Sequence, residues 1–197
     1  MQIVFLSNQC PEDYINESGA GEYPAAPKKC PFKNCGINLE MRKHGFYSRY
    51  LVTIAFSGRI RIRRYKCRKC GRTVSTLPSF CVPGYTYGVI VIVMILLRAL
   101  ETDSIKKTAK EWRGRGMAIT RRHIAKHMGR LRENRKLIQY GLNQISPENA
   151  NMGGETGDTE WTKRFLLGIR PTLSAEFNAN FHKATGISFM STRNRIA

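Results

Sequence analysis

The chain has 197 residues, a length that favours one or two small domains over a large enzyme. Hydrophobic residues make up 42% of it, which is enough for a compact core. Lysine and arginine outnumber aspartate and glutamate 33 to 14, so the formal net charge is +19. Between Lys28 and Lys136 there are 27 basic and 5 acidic residues, a density that attracts a polyanion. Nucleic acid is the first expected partner and an anionic membrane surface the second, while a basic surface that serves only solubility is the alternative.

The N-terminal segment, residues 1–27, is acidic, with four acids and no lysine or arginine. Ile3 to Leu6 predicts a short strand, and the stretch from Pro11 to Pro27, which contains glycine and proline, predicts a loop or tail. The first six residues lack the basic start and the long apolar run of a signal peptide. We therefore expect a cytoplasmic protein, in which paired cysteine motifs bind metal rather than form disulfides.

The next segment, residues 28–83, is predicted to be a small β-structure. Phe46 to Phe56 is rich in aromatic and β-branched residues, a Ser-Gly turn follows, and Arg59-Ile-Arg-Ile-Arg63 alternates basic and apolar residues. Because strand side chains alternate between two faces, we expect Ile60 and Ile62 on one face and the three arginines on the other.

Two cysteine motifs flank this hairpin, Cys30-Pro-Phe-Lys-Asn-Cys35-Gly36 and Cys67-Arg-Lys-Cys70-Gly71. Each short loop lets two thiolates reach one ion, and the glycine after the second cysteine permits a tight turn. Four thiolates complete a tetrahedral site and leave no open position, so we predict one structural zinc ion in a zinc ribbon. The predicted ligands are Cys30, Cys35, Cys67 and Cys70.

Three further residues could enter such a site. Cys10 and Cys81 have no partner motif and are expected to be free thiols. His44 could replace a cysteine, but an ordinary surface histidine is the simpler interpretation. The alternative to a zinc site is a set of four unrelated buried cysteines.

After residue 83 the spacing of apolar residues changes from the alternation typical of a strand to the spacing typical of a helix. The predicted helices are Tyr87–Glu101, Ile105–Trp112 with Ser104 as N-cap, and a third from its N-cap Thr120 to about Arg132. The apolar run in the first helix ends at Arg98, well short of the roughly 20 residues that span a bilayer, so a buried helix and no membrane span are expected. Three helices in this order suit a helix-turn-helix domain, whose third helix enters the major groove.

The third helix has two distinct faces. Ile124, Met128 and Leu131 form a predicted core stripe, with basic residues on the other side. The predicted DNA-binding residues are Arg121, Arg122, Lys126 and Arg130 on this helix, joined by Arg59, Arg61, Arg63 and Arg64 of the ribbon as phosphate contacts. A solvated basic face is the alternative. The connection from residue 113 to 119 exceeds that of a tight motif, so a winged or extended variant stays open.

The fold class predicted from these elements is α+β, a small β zinc ribbon followed by a helix-turn-helix-like domain and a helical tail. The tail carries two apolar patches, Phe165–Leu167 and Phe177–Phe181, after a polar linker. The predicted domains are an acidic N-terminal segment, the zinc ribbon, the DNA-binding domain, the linker and the tail, at residues 1–27, 28–83, 84–142, 143–160 and 161–197.

Several segments within roughly residues 30–85 form a pattern that extends beyond the four cysteines. They are Cys30-Pro, Cys35-Gly36, His44-Gly-Phe-Tyr-Ser-Arg49, Ile60-Arg-Ile-Arg-Arg-Tyr-Lys-Cys67-Arg-Lys-Cys70-Gly-Arg-Thr73 and Leu77-Pro-Ser-Phe80. In these segments the chain resembles the zinc-ribbon region of bacterial insertion-sequence transposases and of short zinc-ribbon and helix-turn-helix proteins associated with them. A weaker helix-turn-helix likeness continues to about residue 132. The resemblance implies binding to DNA, commonly to the ends of a mobile element.

The catalytic part of such transposases is not expected here. An acidic-triad transposase needs three metal-binding carboxylates on an RNase H-like fold. The chain has three aspartates, Asp13, Asp103 and Asp158, none in a strand context, and no room for that fold after residue 140. We therefore expect no enzymatic activity.

The sequence thus predicts a non-catalytic, zinc-dependent DNA-binding protein, accessory or regulatory to a mobile element, with double-stranded DNA as partner. One alternative is a truncated or partner-dependent transposase whose catalytic part lies on another chain. Another is a zinc-ribbon RNA-binding module in which Phe46, Tyr47 and Tyr50 stack on bases. Self-association is left open, as is the role of residues 161–197.

Overall fold

Strands from the N-terminal half assemble into one sheet. The computed structural model describes residues 1–16, 23–146 and 157–191, and within them the sheet has four strands in the order β1-β4-β3-β2. The strands are β1 (Gln2–Phe5), β2 (Arg42–Val52), β3 (Ser57–Lys66) and β4 (Thr73–Pro78). Strands β2, β3 and β4 pair antiparallel, and β1 pairs parallel with β4. The predicted N-terminal strand therefore exists and forms an edge of the sheet.

The alternation predicted for β3 is present. Ile60 and Ile62 are buried, and Arg59 and Arg61 are exposed. The predicted loop or tail after β1 instead begins with a short helix, α1 (Pro11–Asn16), whose Tyr14 is buried. The Tyr14 ring lies edge-on to Phe80, with centroids 5.5 Å apart, and this tertiary contact helps to hold the helix against the sheet. The rest of the acidic stretch, residues 17–22, lies outside the described residues.

Helices make up most of the remaining chain. They are α2 (Val89–Glu101), α3 (Ile105–Gly114), α4 (Arg121–Glu133), α5 (Arg135–Ile145) and α6 (Asp158–Thr185). Both predicted N-caps are confirmed. The Ser104 side chain accepts a hydrogen bond from the Lys107 backbone N–H at 3.2 Å, and Thr120 accepts one from His123 at 3.3 Å. Each bond satisfies an N–H that the first turn of a helix leaves without a partner.

The helices extend into the segment predicted to be a linker, residues 143–160. Helix α5 continues to Ile145, and α6 begins at Asp158. The Asp158 carboxylate forms an ion pair with Arg135, with a nitrogen–oxygen distance of 3.0 Å. Residues 147–156 lie outside the described residues. Helix α6 breaks at Arg170, where φ is 41°, because the following proline disfavours helical backbone at the residue before it and lacks an N–H.

The predicted tail is an integral part of the core. Helix α6 packs along α2 and contributes an aromatic cluster that includes Trp161, Phe165 and Phe181, all of them buried. It also contacts the sheet, because the buried Asn178 side chain donates hydrogen bonds to the backbone oxygens of Ser79 at 2.7 Å and Cys81 at 2.9 Å. These bonds tie α6 to the connection between β4 and α2.

The apolar helix α2 is largely buried within this core, and Ile92, Val93 and Leu96 are fully enclosed. Among the described residues, every helix is too short or too polar to cross a bilayer.

Two helical glycines make a matched pair for testing the packing of α5 on α6. A Cβ added at Gly141 would overlap the buried Phe181 ring, whereas one at Gly129 would meet nothing within 4 Å. We predict that Gly141→Ala lowers the free energy of unfolding by about 1–2 kcal/mol, because overpacking outweighs helix propensity. Gly129→Ala should raise it by up to about 1 kcal/mol. Urea unfolding measures both, and a stabilised Gly141→Ala variant would contradict this packing.

Candidate metal centre and nucleic-acid interface

The two cysteine motifs form tight loops at one end of the sheet. In the first, the backbone N–H groups of Cys35 and Gly36 both donate to the Phe32 oxygen at 2.9 Å. In the second, which connects β3 to β4, the Gly71 N–H donates to the Cys67 oxygen at 3.1 Å. Gly36 and Gly71 have φ values of 52° and 71°, a backbone conformation that favours glycine. The glycine after each motif therefore has the role predicted for it.

These loops bring four sulfur atoms together. The Sγ atoms of Cys30 and Cys70 lie 3.8 Å apart, as do those of Cys35 and Cys67, and all four lie within 4.8 Å of one another. A tetrahedral zinc ion with Zn–S bonds of about 2.3 Å requires its sulfurs to be roughly 3.8 Å apart. The cluster could therefore hold a metal ion such as zinc.

The protein environment prepares at least one of these thiols to ionise. Backbone N–H groups of Cys70 and Lys69 point at the Cys67 sulfur and lower the pKa of that thiol to about 6, despite the opposing effect of burial. Burial raises the pKa of the Cys30 thiol to about 12. A second thiolate so close to the first is thus unfavourable without a cation, and a bound metal ion would remove this obstacle.

The other residues considered as ligands lie elsewhere. Cys10 is exposed, with its sulfur 3.1 Å from a carboxylate oxygen of Asp13, and Cys81 is buried in a separate apolar cluster. His44 is exposed on β2. Among the described residues, the four predicted cysteines form the one cluster of cysteine, histidine or acidic side chains that could hold a metal ion.

The four arginines predicted on the ribbon divide between the two faces of β3. On one face, β2 residues lie opposite arginines in the register Phe46–Arg63, Ser48–Arg61 and Tyr50–Arg59. The guanidinium carbons of Arg61 and Arg63 lie 4.4 and 4.6 Å from the Phe46 ring centroid. Arg64 belongs to the opposite face, because side chains alternate, and donates to the Thr73 hydroxyl at 3.2 Å.

Helix α4 places its predicted core stripe inward, since Ile124, Met128 and Leu131 are buried. Arg121, Arg122 and Lys126 are exposed. Arg130 differs, because it is half-buried and pairs with Glu133 at 2.6 Å. Arg130 still lies on the face predicted for it, because positions 122, 126 and 130 are four residues apart, and the i, i+3 spacing brings Glu133 within reach of it.

Sequence reasoning overlooked a second basic helix face. Four exposed residues of α3 share this face, namely Lys106, Lys107, Lys110 and Arg113. Their spacing of one, four and seven residues is the pattern that could have revealed it. None of the four forms an ion pair with a described carboxylate, whereas nearby Glu111 bridges Arg98 at 2.8 Å and Arg115 at 2.9 Å.

Histidine 127 lies beneath the exposed face of α4. Its ring is buried against Tyr85 and Tyr87, with centroid distances of 5.1 and 6.2 Å. Neither ring nitrogen has a hydrogen-bond partner among the described residues. Burial, followed by the nearby charges of His123 and Lys126, lowers the pKa of His127 to about 4.

One comparison with known proteins covers the cysteine cluster and the helices together. Residues 30–127, just under half of the chain, match the model of a domain of unknown function (DUF6431). The match begins at Cys30 and runs through β2–β4, α2 and α3 into α4. No curated protein and no solved structure matches the chain.

The cluster geometry predicts that Cys67→Ser abolishes stoichiometric metal binding. Structural zinc contributes on the order of 10–16 kcal/mol in small zinc modules, so the region around the cluster should unfold. Zinc content by mass spectrometry and circular dichroism measure both effects. Cys10→Ser is the matched control and should keep one zinc per chain, and retention of one zinc by Cys67→Ser would remove Cys67 from the ligand set.

The burial of His127 predicts a stability that depends on pH. Its pKa in the folded protein, about 4, lies below the ordinary 6.5, so between these values the unfolded chain binds the additional proton. Stability from this residue is complete above pH 6.5 and falls by about 3 kcal/mol as the pH drops to 4. His127→Phe should flatten the pH dependence of urea unfolding in this window. An NMR titration that gives His127 an ordinary pKa would contradict the account.

Proposed function

We propose that this chain is a non-catalytic, zinc-dependent DNA-binding protein, accessory or regulatory to a mobile element. The observation that carries the proposal is the exposed basic surface of α3 and the start of α4, whose lysines and arginines form no ion pair with a described carboxylate. A polyanion is the expected partner for such a surface.

The zinc part of the proposal is supported by the four sulfurs, whose separations suit a tetrahedral ion. A site with four thiolates has no open position for substrate, so zinc would have a structural role. Exposed basic residues surround the two loops, and they are Lys28, Lys29, Lys33, Arg68, Lys69 and Arg72. Zinc would therefore hold positive charges in a defined arrangement.

The proposed reader of duplex DNA is a helix-turn-helix unit composed of α2, α3 and α4. These helices pack on one another, with α2 supplying most of the core and six residues connecting α3 to α4. The exposed Arg121 and Arg122 would lie where the N-terminal part of a recognition helix contacts base edges and the adjacent phosphates. The lysines of α3 would contact phosphates, which adds affinity and salt sensitivity but no sequence preference.

The first alternative is a partner-dependent transposase. The three aspartates are distributed over α1, the turn after α2 and the start of α6, where Asp158 is already paired with Arg135. A strand-cleavage assay on the purified chain addresses this alternative. Metal-dependent cleavage that disappears in Asp103→Ala would favour the transposase and contradict a non-catalytic role.

RNA is a second candidate partner because of the exposed face of β2 and β3. Tyr50, which is 49% exposed, lies opposite Arg59 in the register of the hairpin. An aromatic ring beside arginines suits stacking on unpaired bases. Competition between a duplex DNA and a structured RNA distinguishes the two, and preference for the RNA would overturn the assignment of DNA.

We predict that Arg121→Ala/Arg122→Ala weakens binding to a short mixed-sequence duplex by at least about tenfold. Each lost phosphate contact should also reduce the slope of log K against log salt by about one. Fluorescence anisotropy at several salt concentrations measures both. Lys163→Ala/Lys183→Ala removes two exposed charges from α6 and is the matched control. Equal losses in both double variants would show that only net charge matters.

A further inference from the structure

A groove of about 790 Å³ separates the sheet from α4 and from the segment that follows α6. The sheet contributes Tyr47 and Arg64, the connection before α2 contributes Tyr85, and α4 contributes Lys126. Ser188, in the segment that follows α6, lines the remaining side. This junction groove therefore joins the two regions whose basic residues were predicted separately, the ribbon and the third helix of the reader.

The charge of the junction groove is positive. Arg64 and Lys126 both line it, and no described aspartate or glutamate does. Thr73 accepts one N–H of the Arg64 guanidinium, which fixes the orientation of this side chain and uses one of its five donors. The Lys126 ammonium lies 5.8 Å from the Tyr85 ring centroid, and neither cation forms an ion pair with a described residue.

The uncharged lining of the groove is suited to a nucleotide. The hydroxyl group of Ser75 can donate to a phosphate or sugar oxygen. The Tyr47 ring is half-buried, and its hydroxyl accepts a hydrogen bond from the Gln2 side chain at 3.1 Å. Positive grooves with aromatic rings are the general solution for binding single-stranded nucleic acid.

We propose that the junction groove binds an unpaired nucleotide strand, with a phosphate held between Arg64 and Lys126. The inference rests on the proposed function and adds a second site to it. A concavity lined by four segments of the chain admits one strand, whereas a duplex would lie on the exposed faces of α3 and α4. A protein that binds a single strand in the groove and a duplex on α3 and α4 would be positioned where a duplex ends or opens.

The test compares a blunt duplex with the same duplex carrying a short single-stranded overhang. The wild-type protein should bind the overhang duplex several-fold more tightly. Arg64→Gln/Lys126→Gln should lose this preference, because the phosphate loses both of its cationic partners. Arg121→Ala/Arg122→Ala should bind both duplexes more weakly but keep the preference. Lys163→Gln, on α6, is the charge control, and unchanged zinc content and melting temperature verify the fold of each variant.

The proposal is overturned if the wild-type protein shows no preference for the overhang, or if Arg64→Gln/Lys126→Gln keeps it. Failure of the proposed function gives a different result, in which neither duplex binds. The groove is then tested with the single-stranded oligonucleotide alone. Binding that depends on Arg64 and Lys126 would support the groove, and absence of binding would overturn it.

Discussion

The close approach of four thiols is the constraint on which the proposed arrangement depends. Sulfurs within 4.8 Å of one another cannot all ionise in the absence of a cation, because each thiolate repels the next. A bound metal ion would convert this repulsion into four bonds and would link the loop before β2 to the loop between β3 and β4. Such a link would also hold the loop that begins where β3 ends, while the pairing of β3 with β2 and β4 positions its arginines.

The basic residues of the chain serve different purposes. Arg98 and Arg130 are held by the carboxylates of Glu111 and Glu133, and such pairs stabilise the helices modestly. The exposed lysines of α3 lack such partners among the described residues and are available to a polyanion. The positive field thus comes from particular faces of the molecule rather than from composition alone, and the proposed site uses those faces together with the junction groove.

Features determined by neighbouring residues were predictable from the sequence. Ser104 and Thr120 cap their helices because a hydroxyl reaches the next N–H groups along the chain, and the cysteine spacing requires two tight loops. Features determined by distant residues were not predictable. The pairing of β1 with β4 and the insertion of α6 against α2 depend on surfaces that no short window of sequence contains. The junction groove is missed for the same reason, since its walls come from four separate segments.

Zinc K-edge X-ray absorption on the purified full-length protein tests the central claim most directly, because it reports the atoms bound to the metal without depending on any assay of function. If the four thiolates are the ligands, the atoms bound to zinc should all be sulfur, with zinc–sulfur distances of about 2.3 Å. A shell that contains nitrogen or oxygen ligands, or correctly folded protein that contains no metal, would contradict the account.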